Sequence, residues 1–239
     1  MLAIRRKKYF LTYSQYWFAK EPIPNSFWQI VCLRQYLGIC KPLLFIRQPF
    51  YTLLLDLTKS EEELVSLMAK NTWYEIKRAA RDELIWKDAI PLQEFLNFYN
   101  KFALAKRLNA VSLKALSSLG KAFVATGVYR SDEPLVMHGY LVDEALGRVR
   151  LLYSGSDQML LSSQKALLGR ANRRAHWLDI LHFKKLGFKV YDFGGIEREA
   201  SNQAGQGIAA FKKGFGGREV REDHYESLLF YLAKRLVER

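Results

Sequence analysis

KAFVATGVY (residues 121–129), LVMHGYLV (135–142) and RVRLLY (148–153) are three short apolar runs. Between them stand Ser131-Asp132-Glu133-Pro134 and Asp143–Gly147, separators made of turn-forming residues. Short β-prone runs broken in this way predict an antiparallel meander. Toward the C-terminus the period lengthens. A long helix is expected over about 170–186, stopped by Gly187, which suits the left-handed position past a helix end. Lys189–Phe193 reads as a strand broken by Gly194-Gly195, Gly207–Phe215 as a short helix, Arg218–Arg221 as a strand and Tyr225–Val237 as a closing amphipathic helix.

Toward the N-terminus, Pro91 opens a helix over Leu92–Arg107 whose Phe95, Phe98, Tyr99 and Phe102 form an apolar stripe. Trp73–Glu83 reads as another helix, with Lys77 and Arg81 on one face. Ser60 is a natural N-cap ahead of Glu61, Glu62 and Glu63, acids that complement the helix dipole, and Leu64, Leu67 and Met68 continue the pattern. Thr52–Leu57 reads as a strand. Residues 1–55 are aromatic-rich and poor in acids, with breaks at Pro22, Pro24, Pro42 and Pro49. The expected class is α+β: a mixed sheet flanked by helices over residues 91–239, preceded by a smaller region, residues 1–90.

Composition narrows the function classes. With 239 residues, about half of them apolar and 14% aromatic, the chain can bury a real core and is not a disordered chain. The uncharged stretches stop short of the roughly 18 apolar residues a membrane span needs. Arg5–Lys8 followed by Tyr9–Ala19 has the outline of a signal peptide, but Thr12, Ser14 and Gln15 interrupt the apolar run and no small-residue cleavage site follows. Cys32 and Cys40 form no CxxC pair, so a reducing cytoplasm is the expected location. The net charge of +13 implies a polyanionic partner: nucleic acid, a phosphate-bearing substrate or an anionic membrane face.

No metal site is readable, because His138, His176, His182 and His224 show no ligand spacing and His176 and His182 fall on different helix faces. There is no G-x-S-x-G elbow, and neither cysteine lies in a nucleophile motif. Among the basic clusters, Arg170, Arg173 and Arg174 stand out. At the start of a helix three cations oppose the dipole, and a bound phosphate would compensate them. Lys77 and Arg78 are further candidates for substrate phosphate.

Five stretches, in order, carry a family resemblance. Leu55–Leu64 with Asn71–Ala79 is similar to the end of the first domain in the Fem-type peptidoglycan bridge-forming aminoacyltransferases, a branch of the GNAT acyltransferase superfamily. Leu152-Tyr153-Ser154-Gly155-Ser156-Asp157 resembles that family's Y-x-G-S-D turn. His176–Ile180 and Tyr191–Gly195 resemble its long helix and the strand after it, and Gly207–Gly217 its F-K-x-x-F-G-G motif. The chain is shorter than two complete GNAT-like domains, so the first would be cut down to residues 1–90. Ala166–Ala171 is the nearest fit to the pyrophosphate loop of acetyl-CoA enzymes, but it lacks the leading Arg or Gln.

The resemblance implies an acyl- or aminoacyltransferase that forms an amide on an amino sugar or peptide of a cell-envelope precursor, with aminoacyl-tRNA or acyl-CoA as donor and no tightly bound cofactor. It puts Phe211 and Lys212 at the family's catalytically important Phe-Lys pair; Lys212 would stabilise an oxyanion, or else belong to a solvated helix face. Asp192 would position the acceptor amine or act as base, or cap the turn that follows; Asp157 has the same two readings. Tyr153 and Tyr191 would line the acceptor cleft or pack in the core. The expected partners are a nucleotide- or lipid-linked phosphate substrate, tRNA, the inner membrane face and a second copy of the chain. The competing class is a non-catalytic basic scaffold that binds nucleic acid or an anionic membrane, with Tyr9, Tyr13, Tyr16 and Trp17 as stacking platforms.

Overall fold

In the computed structural model the described residues are 1–8, 11–23, 29–158, 164–197 and 203–237. In chain order the strands are β1 (Leu2–Lys8), β2 (Leu11–Trp17), β3 (Val31–Arg34), β4 (Phe45–Gln48), β5 (Tyr51–Asp56), β6 (Leu84–Lys87), β7 (Phe123–Arg130), β8 (Glu133–Asp143), β9 (Arg148–Ser156), β10 (Val190–Gly195), β11 (Arg218–Arg221) and β12 (His224–Ser227). The helices are α1 (Glu61–Ser66), α2 (Lys70–Ala79), α3 (Leu92–Ala105), α4 (Leu113–Ser117), α5 (Lys165–Lys185), α6 (Gln203–Lys213) and α7 (Leu228–Val237). They form two mixed sheets flanked by helices. Contacts gather the chain into two units: Met1–Thr52 with Gly195–Arg198 and Glu219–Arg239, and Leu53–Gly194 with Glu199–Arg218. A cut at residue 90 falls between β6 and α3, inside the second unit.

The first unit is built on a five-stranded sheet of order β1-β2-β3-β12-β4. β1 and β2 pair antiparallel, β2 and β3 parallel, and β12 runs antiparallel to both β3 and β4. Helix α7 packs on this sheet through Phe230, which meets Cys32 and the Tyr13 ring at 4.8 Å. Tyr16 joins the cluster of Ala19, Val31, Leu33 and Tyr225, and buried Trp17 donates its indole N–H to Gln15 at 3.2 Å. The described N-terminal aromatics therefore serve packing; Tyr9 lies outside the described residues. Both cysteines are free, and burial pushes the Cys32 thiol up to about 11.

The second sheet has the order β11-β5-β10-β9-β8-β7-β6. β7, β8 and β9 form the expected antiparallel meander. After the α5 crossover, β10 adds parallel to β9, pairing Asp192 with Arg150. Alternation assigns the two faces. Tyr153 turns to α3, against the Phe95 and Tyr99 rings, while Tyr140 turns to α5.

Three sequence expectations need correction. Helix α5 begins at Lys165, so Arg170, Arg173 and Arg174 lie in its second and third turns and not at its dipolar end. Tyr225 belongs to a strand, because β12 supplies the pairing that β3 and β4 need before α7 starts at Leu228. The helix expected over Trp73–Glu83 runs instead from Lys70 to Ala79, and Leu84–Lys87 after it form an edge strand beside β7. The Ser60 cap holds: its hydroxyl accepts from the Glu63 N–H at 3.2 Å, and the Glu63 carboxylate accepts from the Ser60 N–H at 2.7 Å.

Gly217 sits at φ +94°, and a Cβ there would stand 2.8 Å from the Leu54 carbonyl oxygen of the neighbouring strand. Gly217→Ala is therefore expected to destabilise the protein by roughly 1–3 kcal/mol, read as a lower urea midpoint, through strain and clash together.

Candidate active site

Strand β10 ends in Asp192-Phe193-Gly194-Gly195, and its alternation sends neighbouring residues to opposite faces. Asp192 is fully buried. Its Oδ2 accepts from the Arg148 guanidinium at 2.5 Å and lies 3.9 Å from Arg150 Nε. Its Oδ1 accepts from the Gly194 N–H at 2.8 Å. Gly194 is at φ +73°, with the Leu151 carbonyl 2.9 Å from where a Cβ would be, so the turn that aims this N–H requires glycine. Asp192 is thus both a turn cap and the anion between two buried arginines.

Lys212, in the last turn of α6, is half-buried. Burial and then the Arg150 charge push its ammonium down to about 8, against the pull of Asp192. The preceding residue, Phe211, joins an aromatic cluster, its ring centroid 5.5 Å from Phe215 and 5.6 Å from His176. The Arg173 guanidinium lies 5.0 Å over the Phe211 ring. Its Nη1 donates to the Gly169 carbonyl, and its Nε is buried with no hydrogen-bond partner among the described residues.

Beneath this cluster runs a buried polar chain. Asp179 of α5 accepts from the Trp86 indole N–H at 2.8 Å and from the Tyr140 hydroxyl at 2.6 Å, and meets His138 Nδ1 at 2.7 Å. Tyr140 Oη is 2.7 Å from Tyr191 Oη, which is 2.8 Å from His176 Nδ1. With the Tyr140 proton committed to the carboxylate, Tyr191 donates to Tyr140 and His176 Nδ1–H donates to Tyr191. That fixes the imidazole tautomer. Burial, followed by His138 and Lys212, holds His176 well below its usual range, so the ring is neutral. Burial and then Asp179 raise both tyrosines. The donor atoms of His138, His176 and Asp179 lie within 4.8 Å of one another, close enough for a metal ion, but these hydrogen bonds already engage each side chain.

The remaining expected residues divide as follows. Phe211, Lys212, Asp192 and Arg173 come together, with Arg150. Tyr191 lies under them, in the core. Tyr153 and Asp157 stand on the α3 side. Asp157 lines a cavity of about 310 Å³ with Phe98, Phe102 and Gln158, and its N–H donates to the Leu135 carbonyl. Arg170 is spoken for: Nε and Nη2 make a bidentate pair with Asp82 at 2.6 and 3.0 Å. Arg174 is half-buried, and burial lowers its pKa. Lys77 and Arg78 are exposed on α2, with the Lys77 ammonium 5.8 Å over the Trp73 ring.

No protein-family model matches the sequence, and no curated protein matches it. Solved structures do match in shape. The C-terminal domain (DUF2156) assigned to a lysylphosphatidylglycerol synthetase of Agrobacterium fabrum is similar over 98% of this chain and 85% of its own, with 12% identity and a TM-score of 0.61. L-PGS from Bacillus licheniformis is similar over 99% and 86%, with 10% identity and a TM-score of 0.61. FemX is similar over 84% of this chain and 66% of its own, with 12% identity and a TM-score of 0.61. The fold is GNAT-like and is shared with these three structures.

Within this GNAT-like fold the residues that the sequence reading passed over are His138, Tyr140, Asp179 and Arg150. For Asp179 a signal exists: Asn172, His176 and Asp179 fall at i, i+4 and i+7 of α5, a polar stripe on the face that packs against the sheet.

Two outcomes are expected. Asp179→Ala leaves three buried groups without their acceptor and costs about 3–5 kcal/mol, measured by thermal or urea unfolding. Lys212→Met works the other way. Its ammonium has a folded pKa of about 8, below the ordinary 10.5, so the charge opposes folding. That penalty is full below pH 8 and fades as pH rises toward 10.5. Lys212→Met is therefore expected to stabilise the protein by about 1–3 kcal/mol at pH 7, with the gain disappearing near pH 10.

Proposed function

We propose that this protein transfers an acyl or aminoacyl group from an activated ester or thioester to an amine, forming an amide. One observation carries the reading: the half-buried Lys212 ammonium lies within electrostatic reach of Arg150 and of the buried Asp192 at the end of a GNAT-like strand. When an amine attacks an ester carbonyl, the oxygen gains charge, and a fixed cation away from water lowers that barrier. Lys212 is that cation. The amine nitrogen gains the carbonyl carbon and loses a proton, and the leaving hydroxyl or thiol takes one up.

Asp192 supports the work indirectly, keeping Arg148 and Arg150 in place and favouring the charged form of Lys212. Arg173 on Phe211, with Lys77 and Arg78, would contact substrate phosphate. Tyr153 and Asp157 would bound the acceptor on the α3 side. The sequence motifs, together with the likeness to structures titled FemX and lysylphosphatidylglycerol synthetase, support aminoacyl transfer to a nucleotide- or lipid-linked envelope precursor. Between donors, aminoacyl-tRNA is preferred over acyl-CoA. The segment nearest to a pyrophosphate loop, Ala166–Ala171, is helical, and the N–H groups of Gly169, Arg170 and Ala171 are taken up by the helix.

The test is transfer from charged tRNA, with acyl-CoA in parallel, to a panel of amino-sugar and peptide acceptors. Lys212→Ala is expected to lower kcat by about 100- to 1,000-fold. Because the cation is the working form, activity should fall as pH rises through about 8. Lys212→Arg should retain activity and move that falling limb upward. A rate that climbs through pH 8, or a folded Lys212→Ala protein with full activity, overturns the assignment.

A further inference from the structure

Helix α7 buries Phe230 against the first unit's sheet yet keeps leucines on its outer side. Leu228, Leu229, Leu232 and Leu236 are all exposed, Leu236 to 74%. Spacings of three and four place them in one stripe. Beside its first turn stands the loop before β4. The Leu228 N–H donates to the Leu44 carbonyl at 3.2 Å, which ties the loop to the helix. That loop presents Ile39, fully exposed, Leu43 at 76% and Leu44 at 54%. It is held in this form. The Tyr36 hydroxyl donates to the Cys40 carbonyl at 3.0 Å, and Leu44 occupies the left-handed region at φ +58°, uncommon for a branched residue. Seven large apolar side chains thus meet water on two joined elements, far more than scattered surface leucines explain.

The charges around them are mostly positive. Residues 36–48 and 228–237 contain no Asp or Glu, but they carry Lys41, Arg47, Lys234 and Arg235. Of the nearby acids, Glu226 is buried and bonded to Gln48 and Lys234, Asp223 pairs with Arg47 and Arg221, and Glu21, next to exposed Lys20, is exposed near Tyr36. Lys41 and Arg235 remain exposed at the edge of the leucines. An apolar stripe edged by cations is the chemistry of an interfacial helix on an anionic bilayer. A symmetric contact between two copies would instead set this cation-edged surface against its own cations.

We infer that the α7 leucine stripe and the Ile39–Leu44 loop form a docking surface for anionic lipid membranes. The leucines and Ile39 enter the acyl boundary, and Lys41 and Arg235 meet lipid phosphates. The surface lies wholly in the first unit and does not depend on the transferase reading.

The experiment is co-sedimentation of the full chain with vesicles of phosphatidylcholine alone or mixed with phosphatidylserine, at low and high salt. Binding is expected to require phosphatidylserine and to weaken with salt. Leu232→Glu with Leu236→Glu should lower binding at least about tenfold while the circular dichroism spectrum and melting temperature stay those of the parent. Leu186→Glu, at an exposed leucine beyond α5, should bind as the parent does. So should Lys212→Ala, which separates this surface from the proposed catalytic lysine. Absence of binding to mixed vesicles, equal binding to phosphatidylcholine, or undiminished binding by the double variant overturns the inference. A dimer in light scattering that the double variant abolishes, without vesicle binding, assigns the face to a second copy and overturns it as well.

Discussion

The buried carboxylate of Asp179 is the constraint on which the rest of the second unit is arranged. A charge without water is tolerable only when its lone pairs are used, and here Trp86 of β6 and His138 and Tyr140 of β8 use them. Helix α5 is thereby pinned in rotation over the sheet. The chain continues through Tyr191 of β10 and returns to α5 at His176. Because the carboxylate can only accept, every hydrogen bond along this path has one direction, and the last member must be an Nδ1–H imidazole. Phe193, Phe211 and Phe215 pack around that ring. Phe211 is one residue before Lys212, and successive helical residues are about 100° apart. Anchoring the phenyl ring in the cluster therefore settles the direction in which the ammonium leaves α6.

Legibility in the sequence followed how strongly each element is patterned. The meander over 123–156 was readable because its separators are turn-rich, and the end of α5 because Gly187 takes a positive φ. The start of α5 was not. Gly169 looked like a loop residue, yet a Cβ there would meet only the Arg173 side chain at 3.5 Å, so it is an ordinary helical position. β12 was hidden because His224-Tyr225-Glu226-Ser227 carries little apolar character and leads directly into α7, and four residues are too few to display a period. Strands β1 and β2 mix charges and aromatics: Ile4 is buried between positions that carry Arg5 and exposed Ala3. Within the candidate site, Lys212, Phe211 and Asp192 were legible through their motifs. His138 and Asp179 are 41 positions apart, and only folding brings a lone strand histidine to a helix carboxylate.

Folding also divides the surplus positive charge. Part of it is structural: Arg170 holds Asp82, Arg148 and Arg150 attend Asp192, and the Lys184 ammonium donates to the Leu57 and Lys59 carbonyls. These cations are unavailable to a partner, and their removal would be felt as lost stability. The exposed remainder, such as Lys41, Lys77, Arg78 and Arg235, acts over roughly a Debye length and so must weaken with salt. A single net charge therefore conflates two physical roles that respond to different experiments.

Lys212 is a half-buried cation. Its neighbours include a like charge, Arg150, and its surroundings disfavour the ammonium, so the fold would be better off without it. A solvated surface lysine would avoid both penalties by turning outward. Lys212 is instead half-buried next to the packed Phe211, and Asp192 offsets only part of the cost. A side chain kept in an unfavourable state by well-packed neighbours is what a trade of stability for function looks like. That cost is the physical reason for which we propose the chemistry at Lys212.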